Sequence, residues 1–378
     1  MVKISVIISS YNVENYIEEC LNSVLNQTLK DIEIICTDDC STDNTYEILK
    51  SYLSKDNRIK IYKNEYNQGP SVGHNRGISI SNGEYLYFLD ADDYIAPDFL
   101  FNLYETAKKF DVDIVSTLNI KEIFMSKDSK TIEQEVYPWY SCIDMWKNLD
   151  KSQLEGRSYI NVENFYFLQK EHLYTVLWNK IFKKEFIKNN SLSFMQIIGE
   201  PIVEEGSNDF HFCNKMILHN PTTAYNHSSI YYHRILNSGL YLSIGAKPDK
   251  IRITIKRMND LLDYYRQKAP QYLPLISRSV WIDVYLRYMN IPNKKDSYKY
   301  LYEFANSLSI NKELVNEEQY HQYLSVKNNK NYDKYVSELK KFGSTSKNKL
   351  FLIESNDKYT IIKIFGIKLT IKKEKVNG

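Results

Sequence analysis

Acidic and hydroxyl residues close three short apolar runs near the start of the chain. Ser9, Ser10 and Tyr11 follow ISVIIS, Asp38 and Asp39 follow IEIICT, and Asp90, Asp92 and Asp93 follow YLYFL. An Asp-Asp pair after a strand is most often a turn or a helix cap, so the joint occurrence carries the weight. Four or five carboxylates gathered at one place repel one another unless a cation or a basic neighbour neutralises them. A divalent metal held by oxygens is the natural partner, and Mn²⁺ or Mg²⁺ in such a setting usually takes phosphate oxygens of a substrate as well. The chemistry expected is therefore metal-assisted work on a phosphate-bearing ligand.

Those runs need a scaffold that brings them to one edge. Ile4–Ser9, Ile32–Thr37, Arg58–Tyr62 and Tyr85–Leu89 read as strands, the first a β-branched run suited to burial on both faces. Between them, Ile17, Cys20, Leu21, Val24 and Leu25 recur at helical spacing after Asn12, a candidate N-cap. Asp43 can cap a second helix, and NQGPSVG leads into a third near Val72–Ser81. Pro97 suits the first turn of a fourth. Strand alternating with helix predicts an α/β fold with a doubly wound, mostly parallel sheet. Open sheets of that kind bind ligands at the carboxyl ends of their strands, where all three polar clusters fall.

Further on, Trp178–Asn189 and Asp209–His219 read as helices, and Thr222–Asn226 and Ile230–His233 as strands. Residues 237–345 carry long helical patterns such as Ile251–Arg266 and Ser279–Met289. Residues 347–378 hold eight Lys against three acids, and YTIIKIF and IKLTIK around Gly366 read as a β-hairpin.

Composition excludes several classes. The 378 residues include 49 Lys+Arg against 47 Asp+Glu, so no broad basic surface for nucleic acid is expected. Hydrophobic content of 43% and charged content of 25% fit a globular protein rather than a disordered one. Five cysteines without a Cys-x-x-Cys pair argue against a disulfide framework or a zinc ribbon. No apolar window approaches the roughly 20 residues of a membrane span, and the start is too short in apolar length for a signal peptide. A reduced, cytoplasmic location is expected. DADDY does not fit an EF-hand, because Tyr94 and Ile95 stand where an acceptor and a glycine are needed. An Asp-x-Asp of the haloacid-dehalogenase kind would close the first strand, not the fourth.

VIISSYNVENYIEECLNSVLNQT, DIEIICTDDCSTDNT and GPSVGHNRGISISNGEYLYFLDADDYIAPDFL, in this order over residues 3–118, resemble the catalytic domain of family 2 glycosyltransferases with the GT-A fold. LWNKIFKKEF and SIYYHR look like later parts of that domain, and IIKIFGIKLTIKK resembles a tail on bacterial surface-polysaccharide transferases. The resemblance implies an inverting enzyme that moves a sugar from a nucleoside-diphosphate sugar, with uracil or thymine as base, to an acceptor hydroxyl. It implies that Tyr11 packs on the nucleobase with Ser9 nearby, and that Asp39, beside Asp38, accepts the imide hydrogen of the base. Asp90 would lie at the ribose or a metal-bound water, and Asp92 would bind the metal bridging the phosphates. Arg76 matches a basic position close to the nucleotide, with a salt bridge across its helix as the alternative.

Two departures from the family pattern stand out. Cys40 replaces the glycine of a DDGS segment. The usual Glu-Asp pair that supplies the base is not plain, and counting back from NPTTAY puts Asp209 there, with Glu204 and Glu205 as rivals. An Asp at a helix N-terminus is favoured as carboxylate, and a simple helix cap is the alternative. His233 is a second candidate at the metal, and Trp178 a candidate platform for the acceptor sugar, with structural packing the competing role for each.

The expected organisation is a GT-A catalytic domain over 1–236, with a nucleotide-sugar half at 1–120 and an acceptor half at 121–236. A helical region follows at 237–345 and a basic β tail at 346–378. A growing lipid-linked glycan of a surface polysaccharide is the expected acceptor, and the basic tail could touch anionic lipid at the inner membrane face. The competing functions are a sugar-phosphate nucleotidyltransferase and a non-catalytic sugar-binding homologue. The first normally has a Gly-rich, basic loop after its first strand, where this chain has SSYNVENY.

Overall fold

The computed structural model describes residues 1–125, 132–133, 158–159, 175–197, 207–235, 248–289, 291, 294–345, 351–355, 359–364 and 367–372. Contacts divide the chain into two compact units, Met1–Ser297 and Tyr298–Gly378.

In the first unit, β1 (Ile4–Ser10), β2 (Ile32–Asp38), β3 (Ile59–Lys63) and β4 (Tyr85–Asp90) pair in parallel in the order β3-β2-β1-β4. Helices α1 (Ile17–Leu25), α2 (Thr45–Tyr52) and α3 (Pro70–Ile80) make the crossovers. The expected doubly wound sheet is present, and each strand ends within one residue of its expected limit. The run ISVIIS feeds both faces: Val6 and Ile8 belong to one apolar cluster with Leu21, Ile34 and Phe99, while Ile7 joins Phe88, Phe182 and Phe212 on the other side. That is why the run is continuously apolar rather than alternating.

Beyond β4 the sheet continues through β5 (Tyr94–Ile95), α4 (Phe99–Phe110), β6 (Ile114–Met125), β9 (Lys180–Lys183) and β10 (Thr222–Ile235), with short strands β7 (Ile132–Glu133) and β8 (Ser158–Tyr159) at its margin. The spatial order is β4-β9-β6-β10-β5, and β9 lies antiparallel to both neighbours. The expected helix over Trp178–Asn189 is therefore wrong in its first half. Ile181 and Phe182 are buried on opposite faces, the period-2 arrangement of a central strand, and only α5 (Lys184–Asn189) is helical. The two strands expected at 222–226 and 230–233 are one, β10, whose register to β6 shifts between Asn226 and Ile230. Asn226 Oδ1 accepts from the amides of Ser228 and Ser229 at 2.9 and 2.8 Å, which accounts for the irregularity.

Helix α6 (Asn208–Ile217) precedes β10, and α7 (Pro248–Lys268) and α8 (Leu273–Met289) follow it. These two long helices, which the sequence reading set apart from the catalytic half, belong to the first unit. Helix α9 (Lys294–Ser307) crosses the boundary between units. The second unit contains α10 (Glu317–Asn328), α11 (Tyr332–Thr345) and a three-stranded antiparallel sheet, β11 (Phe351–Ser355), β12 (Tyr359–Ile364) and β13 (Ile367–Lys372). The hairpin expected around Gly366 is there, with β11 added beside it. Among the described residues no helix is long and apolar enough to cross a membrane, and Cys20, Cys36, Cys40 and Cys213 are free thiols. Cys142 lies outside the described residues.

Candidate active site

Strand register sets the first relationship. Ser9 pairs with Thr37 of β2 on one side and Asp90 of β4 on the other, and Ser10 pairs with Asp38. Ser10, Asp38 and Asp90 thus end neighbouring parallel strands at one sheet edge, with Ser9 one residue inside it, and Tyr11, Asp39 and Asp92 lie in the loops there.

Those loops are knitted together. Asn12 does not cap α1, which starts at Ile17 without a side-chain cap. With φ at 53°, Asn12 instead turns the chain, and its Oδ1 accepts from the Thr42 amide at 2.8 Å while its amide donates to Ser41 Oγ. Asp43 accepts from the amides of Glu14 and Thr45, tying the β1 loop to the start of α2. The result holds Tyr11, half-buried, beside the loop of Asp38 and Asp39.

The carboxylate of Asp39 is buried and already engaged. Oδ1 accepts from Asn64 Nδ2 at 2.7 Å and the Gln68 amide at 2.8 Å, and Oδ2 from the Gly69 amide at 2.7 Å. Asp39 therefore shapes the turn into α3, where Gly69 has φ at 79° and Pro70 opens the helix. Asp38 is fully buried; its Oδ2 accepts from the Ser41 amide at 3.2 Å, and its Oδ1 has no hydrogen-bond partner among the described residues. Cys40, at the position of the family glycine, has φ at 62°, so the loop keeps a glycine-type backbone without the glycine.

Helix α3 lies unusually close to β1. A Cβ at Gly73 would stand 2.7 Å from Ser9 Oγ, and one at Gly77 would stand 2.4 Å from Ile7 Cγ2. This approach brings the helix N-terminus to the strand edge. Arg76, further along α3, stacks its guanidinium over the Tyr62 ring at 5.5 Å, and no ion pair joins it to another described residue. The salt-bridge alternative is thereby replaced by a cation–π contact.

Across β4, Asp93 and Asp92 divide their work. Asp93 is 1% exposed and accepts from the Tyr231 hydroxyl and the Arg234 amide, each at 2.6 Å. The guanidinium of Arg234 donates to the backbone carbonyl of Asp92 and to the Glu19 carboxylate. The Asp92 side chain is left for other work. Burial raises its pKa against the pull of Arg234. Burial also raises Asp90 well above the usual carboxylate range, and the charges of Asp209 and Asp92 raise it further.

Asp209 thus joins the edge. It stands in the first turn of α6, whose preceding residue, Ser207, is left-handed at φ 66°. Burial lifts Asp209 to about 6, although the Leu177 amide donates to it and Lys180, Arg287 and Arg257 favour its charged form. Neighbouring Asn208 accepts from Ser71 Oγ at 2.9 Å, so the starts of α3 and α6 touch. Glu204 and Glu205, the rivals of Asp209, lie outside the described residues.

Two other candidates are packed into the interior. Trp178 is 2% exposed and stacks on Tyr231 and His233 at centroid distances of 4.4 and 5.2 Å. It offers no open ring to a sugar, which corrects its reading as an acceptor platform. Burial lowers His233 to about 4, so its imidazole is neutral near pH 7. Arg234 and the second role of Asp93 escaped the sequence reading. An arginine closing a strand that reads YYHR was the available signal, because a buried charge in a sheet demands a partner.

Among the described residues no group of three or more His, Cys, Asp or Glu side chains is placed to enclose a metal by itself. A cation of the Mg²⁺ type is ordinarily held by one or two carboxylates and completes its shell with substrate phosphates and water. Asp90 and Asp92 carry hard carboxylate oxygens, the donor type that such an ion takes.

A family model described as Glycosyl transferase family 2 matches residues 5–185. A Bacillus subtilis (strain 168) protein named as the glycosyltransferase EpsH is 30% identical over 285 residues, 72% of this chain and 75% of that protein. The chain belongs to glycosyl transferase family 2. The poly(ribitol-phosphate) beta-glucosyltransferase of Bacillus spizizenii is 29% identical to this glycosyltransferase over 250 residues, 65% of this chain but 34% of that protein. In fold, the glycosyltransferase resembles S. aureus TarS 1–349, solved in complex with UDP-GlcNAc. The TM-score is 0.64 with 18% identity, over 99% of this chain and all of that one. The expected GT-A architecture is thereby shown.

Proposed function

We propose that this glycosyltransferase moves a sugar from a UDP-sugar to an acceptor hydroxyl with inversion at the anomeric carbon. The observation that carries the reading is that Asp39, Asp90 and Asp92 gather at one strand edge, with Asp209, raised to about 6, near enough for its charge to act on Asp90. One neighbour in fold, TarS, solved with UDP-GlcNAc and with UDP, favours a uridine donor.

In this reading Tyr11 and Ser9 receive the base, and Asp39 presents one of its remaining lone pairs, or the loop it organises, to the imide. Asp90 orients the ribose. Asp92 holds Mn²⁺ or Mg²⁺; the chemistry such an ion supplies when bound is neutralisation of the charge that grows on the leaving diphosphate. Asp209 takes the proton of the acceptor hydroxyl as that oxygen attacks from the face opposite the diphosphate. A base near pKa 6 is ionised at neutral pH yet basic enough to accept a proton, which suits that step. His233 serves as packing for Trp178, and as a neutral imidazole it also has the state a metal ligand needs.

We assign the acceptor to a surface glycan, lipid-linked during growth, on the resemblance of the tail to surface-polysaccharide transferases and on the poly(ribitol-phosphate) beta-glucosyltransferase among the relatives. The basic strands β12 and β13 are proposed to meet the anionic inner face of the membrane. The boundary at 345, before the basic tail, is proposed as a functional one; that at 236 is not, because α7 and α8 belong to the first unit with β10. A nucleotidyltransferase is disfavoured by the loop after β1, which is knitted by Asn12 and Asp43 and carries no basic residue. Incubation with UDP-, dTDP- and GDP-sugars in Mn²⁺ tests the proposal. Release of UDP from a UDP-sugar, abolished in D92A, is the expected result; pyrophosphate release from UTP and a sugar phosphate would overturn it.

A further inference from the structure

Ser207 adopts a left-handed backbone, φ 66°, that a residue with a Cβ holds only where its surroundings impose it. The surroundings are visible. Ser207 Oγ donates to Asp283 Oδ2 of α8 at 2.6 Å, and the same oxygen accepts from Arg287 Nε at 2.9 Å one turn further along. Helix α7 fastens the rest of α6. His211 Nε2 and Lys215 Nζ both meet Asp260 Oδ2, at 2.7 and 2.6 Å, and the Tyr265 hydroxyl donates to the Asn214 carbonyl at 2.9 Å. The helix that presents Asp209 is thus gripped at the residue preceding it by α8 and along its length by α7.

We propose that Asp283 and Arg287 are positioning residues for the base: the chain Ser207–Asp283–Arg287 fixes the start of α6 and, two residues on, the carboxylate of Asp209. The proposal rests on the reading of Asp209 as base. Its consequence is that α7 and α8 belong to the catalytic apparatus without touching the reacting atoms. Arg287 acts on the base in a second way, through charge. The groups facing Asp209 are Lys180 from β9, Arg257 from α7 and Arg287 from α8, all favouring the carboxylate, with Asp90 from β4 and Cys213 of α6 on the opposing side. Displacing a catalytic group by about 1 Å costs on the order of 10²-fold in rate, so a loosened α6 start is costly.

The test uses the full chain with UDP-N-acetylglucosamine and Mn²⁺, reading UDP release. D283A, and S207A as a milder variant, are expected to lower kcat at least about 10-fold while KM for the donor stays at the wild-type value. R287Q is expected to move the acid limb of the pH profile upward, and R287K to return it. A crystal structure of D283A should show Ser207 out of the left-handed region and Asp209 off the Leu177 amide, and it decides the matter even where this donor is not turned over. Wild-type kcat and acid limb in D283A, or an unmoved Ser207 and Asp209 in its crystal structure, would overturn the proposal. D209N separates the two readings. Full activity in D209N means that the base assignment failed, whereas an inactive D209N beside an unaffected D283A means that only the positioning role failed.

Discussion

The backbone amide of Arg234 donates to the Asp93 carboxylate at 2.6 Å, fastening the last long strand of the sheet to the loop that carries Asp92. The Tyr231 hydroxyl takes the other oxygen, so one aspartate holds two points of β10. The acid beside the proposed metal ligand is a clamp, and the metal ligand owes its place to it.

Replacing Asp93 by Ala leaves two buried donors without an acceptor, each worth about 1–3 kcal/mol. Urea unfolding of D93A should show a loss of roughly 2–6 kcal/mol, together with weaker UDP binding in Mn²⁺. An unchanged urea midpoint would remove the clamp from the account.

The strand edge was legible in the sequence because each polar cluster directly follows a buried β-branched or aromatic run, and period and turn chemistry are local signals. What joins Asp93 to Arg234, Ser71 to Asn208 and Ser207 to Asp283 is not local. These pairs come from distant segments, and no spacing rule connects them. Trp178–Asn189 was misread for a related reason. Its apolar residues fit either a short helix or a strand, and only the slot between β4 and β6 selects the strand. Asp39 was readable as an acid at the edge, but the three donors it already satisfies were not.

Asp209 must be ionised to accept a proton, and burial sets its pKa at about 6. Turnover at saturating donor should therefore fall as pH drops through about 6 and level off above it. A profile flat down to pH 5 would contradict the assignment of the base.

Cys40 holds a backbone conformation that costs a non-glycine residue about 1–2 kcal/mol, part of which glycine returns as unfolded-chain entropy. C40G should raise stability by roughly 0.5–1 kcal/mol, seen as a higher thermal midpoint, with UDP affinity retained. A less stable C40G would mean that the Sγ contact to the Glu65 carbonyl, at 3.5 Å, outweighs the strain.

Glu33 lies at the opposite end of the sheet from the site and tunes stability instead. Burial would raise its pKa, but Lys60, Ser5 and the Asn82 amide and side chain outweigh that and hold it at about 2, from an ordinary 4.5. Because the folded value is the lower one, its contribution is complete above about pH 4.5 and is lost as pH falls toward 2. E33Q should flatten the acid side of a stability-against-pH curve over that window, and an unchanged slope would place the acid sensitivity elsewhere.

Calorimetric titration of UDP into the wild-type chain and into D92A, each with and without Mn²⁺, tests most directly whether the strand-edge acids form one diphosphate site. Expected is binding that needs Mn²⁺ in the wild type and weakens at least about 10-fold in D92A, the loss of one charge-assisted contact. UDP binding of equal strength in D92A, or indifferent to Mn²⁺ in the wild type, would contradict it.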